Sequence, residues 1–425
     1  MGPAAERLES LYAEIENNPD DPAAYLVLGD ALLESGDARG ELIGVQHALL
    51  TSEGNEATKL RKRERELLGT QREALLGKEL AAAKSVALDW RLGFVTHATV
   101  PVGLPLGGLQ RVIKTLLSSP ASRLLRGLTL TFPARDRIDH PVRDLLGQLA
   151  RSNLRPPPGL RTLTLGTAEA DRPGYWVYSD YEACALLDDL SGLFGRFDRL
   201  EQLRVDAGVA SLRWGAIESQ TLRDFEWVTP HLSSADLQAL VQGRWPRLRR
   251  IVVWTGGQTT VNTEDELHVR GDDGFEDDFD EGAEEGAVQG GGDDDDWLEW
   301  ESLEGDALAP LFDSLDKLDE LEVFGVANYV GSWGELAQSL RGHSLWSRIH
   351  TLDMSRARIL AGDTDPLLAA LREAPALRTV VIDQARIDPG ALDALRRLQL
   401  TLEGASRGLA GDLPAEDFRY VVTME

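Results

Sequence analysis

A single cysteine, Cys184, stands among 425 residues, so neither a disulfide nor a cysteine metal cluster can form within one chain. It lies in Ala183-Cys184-Ala185-Leu186-Leu187, where any small apolar helix residue would serve, and it reads as a buried structural thiol. No stretch approaches the roughly 18 consecutive apolar residues of a membrane span. The opening Met1-Gly2-Pro3-Ala4-Ala5-Glu6 lacks the basic and apolar regions of a secretory signal, and these absences together place the chain in the cytoplasm with no membrane partner. Positive charge is scarce: 44 Lys and Arg against 71 Asp and Glu leave a net charge of −27. Binding to nucleic acid rests on counterion release by cations, so this balance excludes a phosphate backbone as the main partner.

Catalytic punctuation is missing too. His47, His97, His140, His231, His268, His343 and His350 show no His-x-x-x-His or Glu-x-x-His spacing that would set two zinc ligands on one helix face. No Gly-x-Ser-x-Gly elbow, Walker loop or Gly-x-Gly-x-x-Gly turn occurs, and Gly331-Ser332-Trp333-Gly334 has Val330 where the elbow needs its first glycine. A calcium loop ending near Val288 would place Phe279 at an oxygen-ligand position. The sequence predicts a chain that is not an enzyme and holds no cofactor and no metal. A hydrolase assembled from carboxylates on distant repeats is the reading that spacing alone leaves open.

What is present is leucine in two periods. From residue 4 to residue 80, Leu8, Leu11 and Ile15 recur at helical spacing, Asn17-Asn18-Pro19-Asp20-Asp21-Pro22 makes a turn, and Leu26, Leu28, Leu32 and Leu33 resume the pattern. Gly36-Asp37 and Gly40 mark the next turn, Leu42 to Leu50 continues as helix, and Lys59 to Glu79 reads as one long amphipathic helix burying Leu67, Leu68, Leu75, Leu76 and Leu80. The Asn-Pro-Asp-Asp of Asn18 to Asp21 and the Gly-Asp-x-Arg-Gly-Glu of Gly36 to Glu41 resemble a bacterial repeat-companion leader domain over residues 6 to 50, with Ala31 where that family often has tryptophan. The resemblance implies that repeats follow. A single tetratricopeptide-like hairpin accounts for the same residues.

Beyond residue 86, after extended pieces at Val86 to Trp90 and Gly93 to Val100, a frame Leu-x-x-Leu-x-Leu recurs. It begins at Leu125, Leu160, Leu200, Leu222, Leu248, Leu318, Ile349, Leu377 and Leu395, at spacings of 35, 40, 22, 26, 70, 31, 28 and 18 residues. The unit Leu352 to Ile359 parallels Val380 to Ile387, and each is followed by an Asp-Pro helix start, Asp365-Pro366 and Asp388-Pro389. These frames resemble the leucine-rich-repeat family, with Ala357 and Ala385 where many members place the asparagine that ties neighbouring turns. The fold class that follows is α/β: an irregular leucine-rich-repeat solenoid, parallel sheet plus helices, behind a small all-helical N-terminal domain. A compact α/β domain is the alternative. The expected units are a leader at 1–84, a first arc at 85–262, an insertion at 263–306 and a second arc at 307–425.

Between Glu264 and Glu304, 19 acidic residues face one basic residue, Arg270, so this segment carries about −18 of the net −27. Its glycine and like charge cannot bury enough apolar surface to offset ordering entropy, which predicts a mobile acidic loop. Alternation along each frame puts its third, fifth and seventh residues on the concave face of the arc. The candidate partner-binding residues are therefore Arg204, Glu226, Arg250, Trp254, Glu322, Phe324 and Asp353, with Trp254 and Phe324 read as equivalent shoulders of the insertion. Secondary aromatic contacts are Tyr175 and Trp176 in the Pro173 to Tyr181 connection, and Trp297 and Trp300 in the acidic tract. The function expected is a protein–protein recognition scaffold for a protein partner. The alternative is a regulatory substrate or sensor of a protease or kinase acting through the insertion.

Overall fold

A computed structural model of the chain describes residues 3–101, 106–132, 156–167, 190–206, 214–229, 232, 234–255, 305–327, 329, 331–383 and 385–404. Cys184 and the 264–304 tract lie outside the described residues.

The N-terminal residues form helices α1 (Pro3–Asn17), α2 (Pro22–Glu34), α3 (Ala38–Leu49), α4 (Gly54–Thr70), α5 (Arg72–Leu76) and α6 (Lys78–Ala82). Local chemistry sets the first boundaries: Asp21 and Asp37 cap α2 and α3 by accepting the backbone N–H of Ala23 and Arg39, each at 2.9 Å. Gly36 supplies the left-handed residue, φ +76, between the two helices. Gly40 marks no turn. It lies inside α3, where a Cβ would stand 2.6 Å from the carbonyl oxygen of Gly29, so the glycine lets α2 and α3 touch backbone to backbone. Nor is Lys59 to Glu79 one helix: it breaks at Gln71 and again at Gly77, whose φ of +78 no helical residue adopts.

Eleven strands then line up in chain order in one sheet. They are β1 (Ala87–Arg91), β2 (Phe94–Pro101), β3 (Gly127–Phe132), β4 (Thr162–Thr167), β5 (Gln202–Asp206), β6 (Asp224–Val228), β7 (Arg250–Trp254), β8 (Val323–Ala327), β9 (Thr351–Asp353), β11 (Thr379–Val381) and β13 (Thr401–Glu403). Only β1 and β2 pair antiparallel, through a tight turn at Leu92 and Gly93 with φ of +48 and +80; every later pair is parallel. Sequential parallel strands with helices between them make an α/β repeat solenoid. Among the described residues no helix is long and apolar enough to cross a membrane.

Register makes the repeat explicit. Ala98, Leu128, Leu163, Leu203, Phe225, Ile251, Phe324, Leu352, Val380 and Leu402 are successive partners across the sheet, and all but Leu402 are fully buried. Each such Leu or Phe contributes about 2 kcal/mol of burial. This ladder corrects two frames. Ile251 pairs with Phe324, so the frame around β8 is Leu321-x-x-Phe324-x-Val326, three residues later than Leu318. Val380 pairs with Leu402, so the frame at Leu395 slips by four.

Helices close the other side of the core: α7 (Leu106–Ser118), α8 (Leu193–Arg196), α9 (Ser234–Val241), α10 (Ala309–Leu315), α11 (Trp333–Arg341), α12 (Thr364–Arg372) and α13 (Pro389–Arg396). Asp388 caps α13 through the N–H groups of Gly390 and Ala391, with Pro389 in the first turn. At α12 the helix starts before the Asp365-Pro366 pair, and Asp363, at the N-cap position, turns its carboxylate to other groups instead of the helix's own N–H groups. Its buried carboxylate accepts from Ser332 Oγ at 2.6 Å, Gly334 N at 3.2 Å and Leu360 N at 2.9 Å, joining two successive repeats. Ala357 and Ala385 are buried, and backbone does the tying expected of asparagine. The turn residues form their own two-stranded parallel ladder, β10 (Arg358–Ile359) with β12 (Arg386–Ile387), extended by Arg386 N donating to Ala357 O at 2.8 Å.

The N-terminal helices share their core with the sheet. Leu42, Leu67, Leu76 and Leu80 pack in the cluster that holds Val95, Ala98 and Leu128, while Tyr12, Tyr25 and Ile43 close over Leu92, Phe94 and Leu124. Arg39 donates to Tyr12 Oη and to the Pro120 carbonyl, each at 2.9 Å. Arg123 binds Glu9 at 2.7 Å and Glu16 at 3.0 Å. The helices thereby cover the β1–β2 end of the sheet, the place where a solenoid needs a cap.

Candidate functional site

The face of the sheet opposite the buried column is the one the sequence marks as concave. Arg204, Glu226, Val252, Gly325 and Asp353 are consecutive rungs of one column on it, across β5, β6, β7, β8 and β9. Gln202, Asp224, Arg250, Val323 and Thr351 form the neighbouring column.

The two columns are wired together. Glu226 receives Arg204 at 3.3 Å from one side and Arg250 at 3.1 Å from the other, with its own side chain only 16% exposed against 29% and 30% for the arginines. One partly desolvated carboxylate thus fixes two guanidinium groups, each of which keeps further N–H donors for an incoming acceptor. Beside them Thr162 donates to Gln202 Oε1 at 3.1 Å and Gln202 Nε2 donates to Asp224 at 3.2 Å. The cross-strand polar order therefore runs from β4 to β7.

On the far side of Arg250 the surface turns apolar and small. Val252 is buried, and a Cβ on Gly325 would stand 2.7 Å from the Cβ of Asp353 and 2.9 Å from Val252 Cγ2, so only glycine lets these strands sit side by side. Trp254 pairs with Ala327 and is half-buried, with the Arg356 guanidinium 5.2 Å from its ring centroid. Arg356 holds a left-handed backbone, φ +57, and its N–H donates to Asp383 O at 2.8 Å. A non-glycine residue in that region costs of order 1 kcal/mol, and such conformations concentrate at binding sites.

Five of the seven candidate residues, Arg204, Glu226, Arg250, Trp254 and Asp353, therefore fall on this face. Two do not. Phe324 points into the core, fully buried, edge-on to Phe312 with centroids 5.7 Å apart, because the three-residue frame slip reverses its side. Glu322 is exposed but precedes β8, where its N–H donates to Arg249 O at 2.9 Å. Of the two aromatics read as shoulders of the insertion, Trp254 alone lies on this face. Arg356 and Gly325 belong to the surface and carry no motif; only the pairing of strands brings them there. Tyr175, Trp176, Trp297 and Trp300 lie outside the described residues. Among the described residues no group of three or more His, Cys, Asp or Glu is placed to hold a metal ion.

No family model matches the chain, and no curated protein matches it. Among solved structures it is similar to a Bacteroides fragilis protein, at 14% identity and a TM-score of 0.49, over 84% of this chain and 86% of that one. It is also similar to a chain of the yeast Rad7 and Elc1 complex, at 13% identity and a TM-score of 0.30, over 89% of this chain and 95% of that one. At such overlap the fold rests on the strand register itself.

Proposed function

We propose that the chain is a non-catalytic protein–protein recognition scaffold, cytoplasmic, whose partner seats on the open face of the sheet from β5 to β9. The observation that carries this reading is the Arg204, Glu226 and Arg250 triad running into the Trp254 and Arg356 pair. Guanidinium groups preset by a shared carboxylate, next to a half-buried tryptophan, are the side chains that dominate protein interfaces. Preset side chains lose little rotamer entropy when a partner arrives. We read the repeats as divergent leucine-rich repeats, and the helices before them as a repeat-companion leader that caps the arc.

Capture of the native partner by the full chain, compared with Trp254→Ala and Arg250→Ala, tests the reading. Both variants should fold and lose the partner. Equal recovery with the unaltered chain would remove this face as the site.

A further inference from the structure

We propose that the lip of the sheet where β5, β6 and β7 begin docks an acidic peptide segment of the partner; the proposal rests on the recognition reading and assigns the partner a chemistry. The residue just before each strand continues the ladder, since Arg223 N donates to Glu201 O and Arg249 N donates to Arg223 O, each at 2.8 Å. Glu201, Arg223 and Arg249 are therefore adjacent rungs along the lip. Arg199 and Arg247 stand two residues earlier in their own repeats, immediately before Leu200 and Leu248. All four arginines are exposed. With strands about 4.8 Å apart, their backbones lie within roughly 10 Å across the sheet.

Beside the lip, Arg161 meets Glu201 at 3.2 Å and donates to the Pro158 and Leu160 carbonyls, and Arg378 folds back onto Pro375 and Leu377. On the lip, Arg249 meets Glu320 at 3.2 Å and Arg199 donates to the neutral Pro158 carbonyl at 3.3 Å. Arg223 and Arg247 have no acidic partner among the described residues. In a chain with 71 acidic and 44 basic residues, carboxylates are in excess for pairing, so three exposed guanidiniums close together without one among the described residues, Arg199, Arg223 and Arg247, stand out as unfilled sites for an acceptor. Guanidinium forks donate to carboxylates in a bidentate geometry. An extended peptide presents alternate side chains on one edge about 6.6 Å apart, a spacing that two neighbouring lip arginines reach. A nucleic-acid strand is the poorer occupant: Asp198 and Glu201 on one side and Glu320 and Glu322 on the other bound the lip to a short stretch, and a net charge of −27 repels a long polyanion.

The test is fluorescence anisotropy of the full chain with a labelled peptide of about ten residues alternating Glu and Ser, its Gln and Ser counterpart, and a single-stranded RNA of equal charge. The acidic peptide should bind, weaken with added salt, and bind at least about tenfold more weakly to R223E/R247E, whose exposed positions leave thermal unfolding unchanged. R223K/R247K, which keeps the charge and loses the fork, should fall between. No binding of the acidic peptide, equal binding to R223E/R247E, or tighter binding of the RNA overturns the proposal. Trp254→Ala should not change peptide binding, so the two readings fail separately. Partner loss on Trp254→Ala without any peptide binding sinks the lip alone, and peptide binding with partner capture untouched by Trp254→Ala sinks the face alone.

Discussion

Gln46 Oε1 accepts the backbone N–H of Gly93 at 2.7 Å, from the middle of α3 to the turn between β1 and β2. The other end of the same amide donates to Glu64 at 2.6 Å, so a single buried side chain joins two helices to the sheet. Gly93 has no room for another arrangement, since a Cβ there would stand 2.5 Å from Ile43 Cγ1. Gln46→Ala strands a buried donor and should cost about 1–3 kcal/mol. Because the helices and the first strands share one core, the loss should appear in a single urea transition. Separate transitions for helices and sheet would contradict the shared core.

Phe324 and Trp254 were equals in the repeat pattern and are opposites in the fold. Phe324→Ala empties a site packed against Phe312 and should cost about 3–5 kcal/mol. Trp254→Ala removes a half-buried ring and should cost roughly 1–2 kcal/mol while abolishing partner capture. Denaturant unfolding of both variants decides the register directly, because in the Leu318 frame Phe324 too would face outward and its loss would cost no more than that of Trp254.

That slip shows what the sequence discloses. Helix ends at Asp21, Asp37 and Asp388 are readable because each cap is a local event, and most frames are readable because their leucines alternate with polar residues. Around β8 the residues Leu318, Leu321, Val323, Phe324 and Val326 satisfy the frame in two registers, and only pairing with β7 chooses between them. The same holds at Leu398, Leu400 and Leu402, where strict alternation is compatible with more than one start. Arg356 and Gly325 are silent in sequence because their roles depend on what lies across the strand. Asp363 reads as an ordinary loop acid until Ser332, from the preceding repeat, arrives beside it.

Asp363 is accordingly a sharper test of repeat coupling than any surface pair. Asp363→Ala leaves Ser332 Oγ, Gly334 N and Leu360 N without their shared acceptor and should destabilise by about 3 kcal/mol. Hydrogen exchange should rise in both α11 and α12. A rise confined to α12 would reduce Asp363 to a local cap.

Glu226 predicts the reverse pattern. Its two ion pairs are partly exposed, and such pairs contribute about 0–1 kcal/mol each. Glu226→Gln should shift the unfolding midpoint little, yet it releases Arg204 and Arg250 from their preset geometry and should weaken partner capture. Strong destabilisation without a binding change would make the triad a structural device.

The pH dependence of stability carries one further signature in the N-terminal helices. Burial opposes ionisation of Asp37, but hydrogen bonds from the Arg39 side chain and backbone, together with its charge, outweigh burial and hold the carboxyl below its ordinary value of 3.8. A carboxyl with a depressed folded value adds stability that is complete above the unfolded value and disappears as the pH falls through the folded one. The difference in unfolding free energy between the unaltered chain and Asp37→Asn should therefore stay constant from neutral pH down to about 4 and shrink below it. Subtracting the variant at each pH removes the parallel losses from Glu9 and Asp316, whose carboxyls are also held low, by Arg123 and by the N–H groups of Leu345 and Ser344 against burial. Urea titrations in stepped buffers measure that difference. If it widens on acidification, Arg39 is not the group that keeps Asp37 ionised.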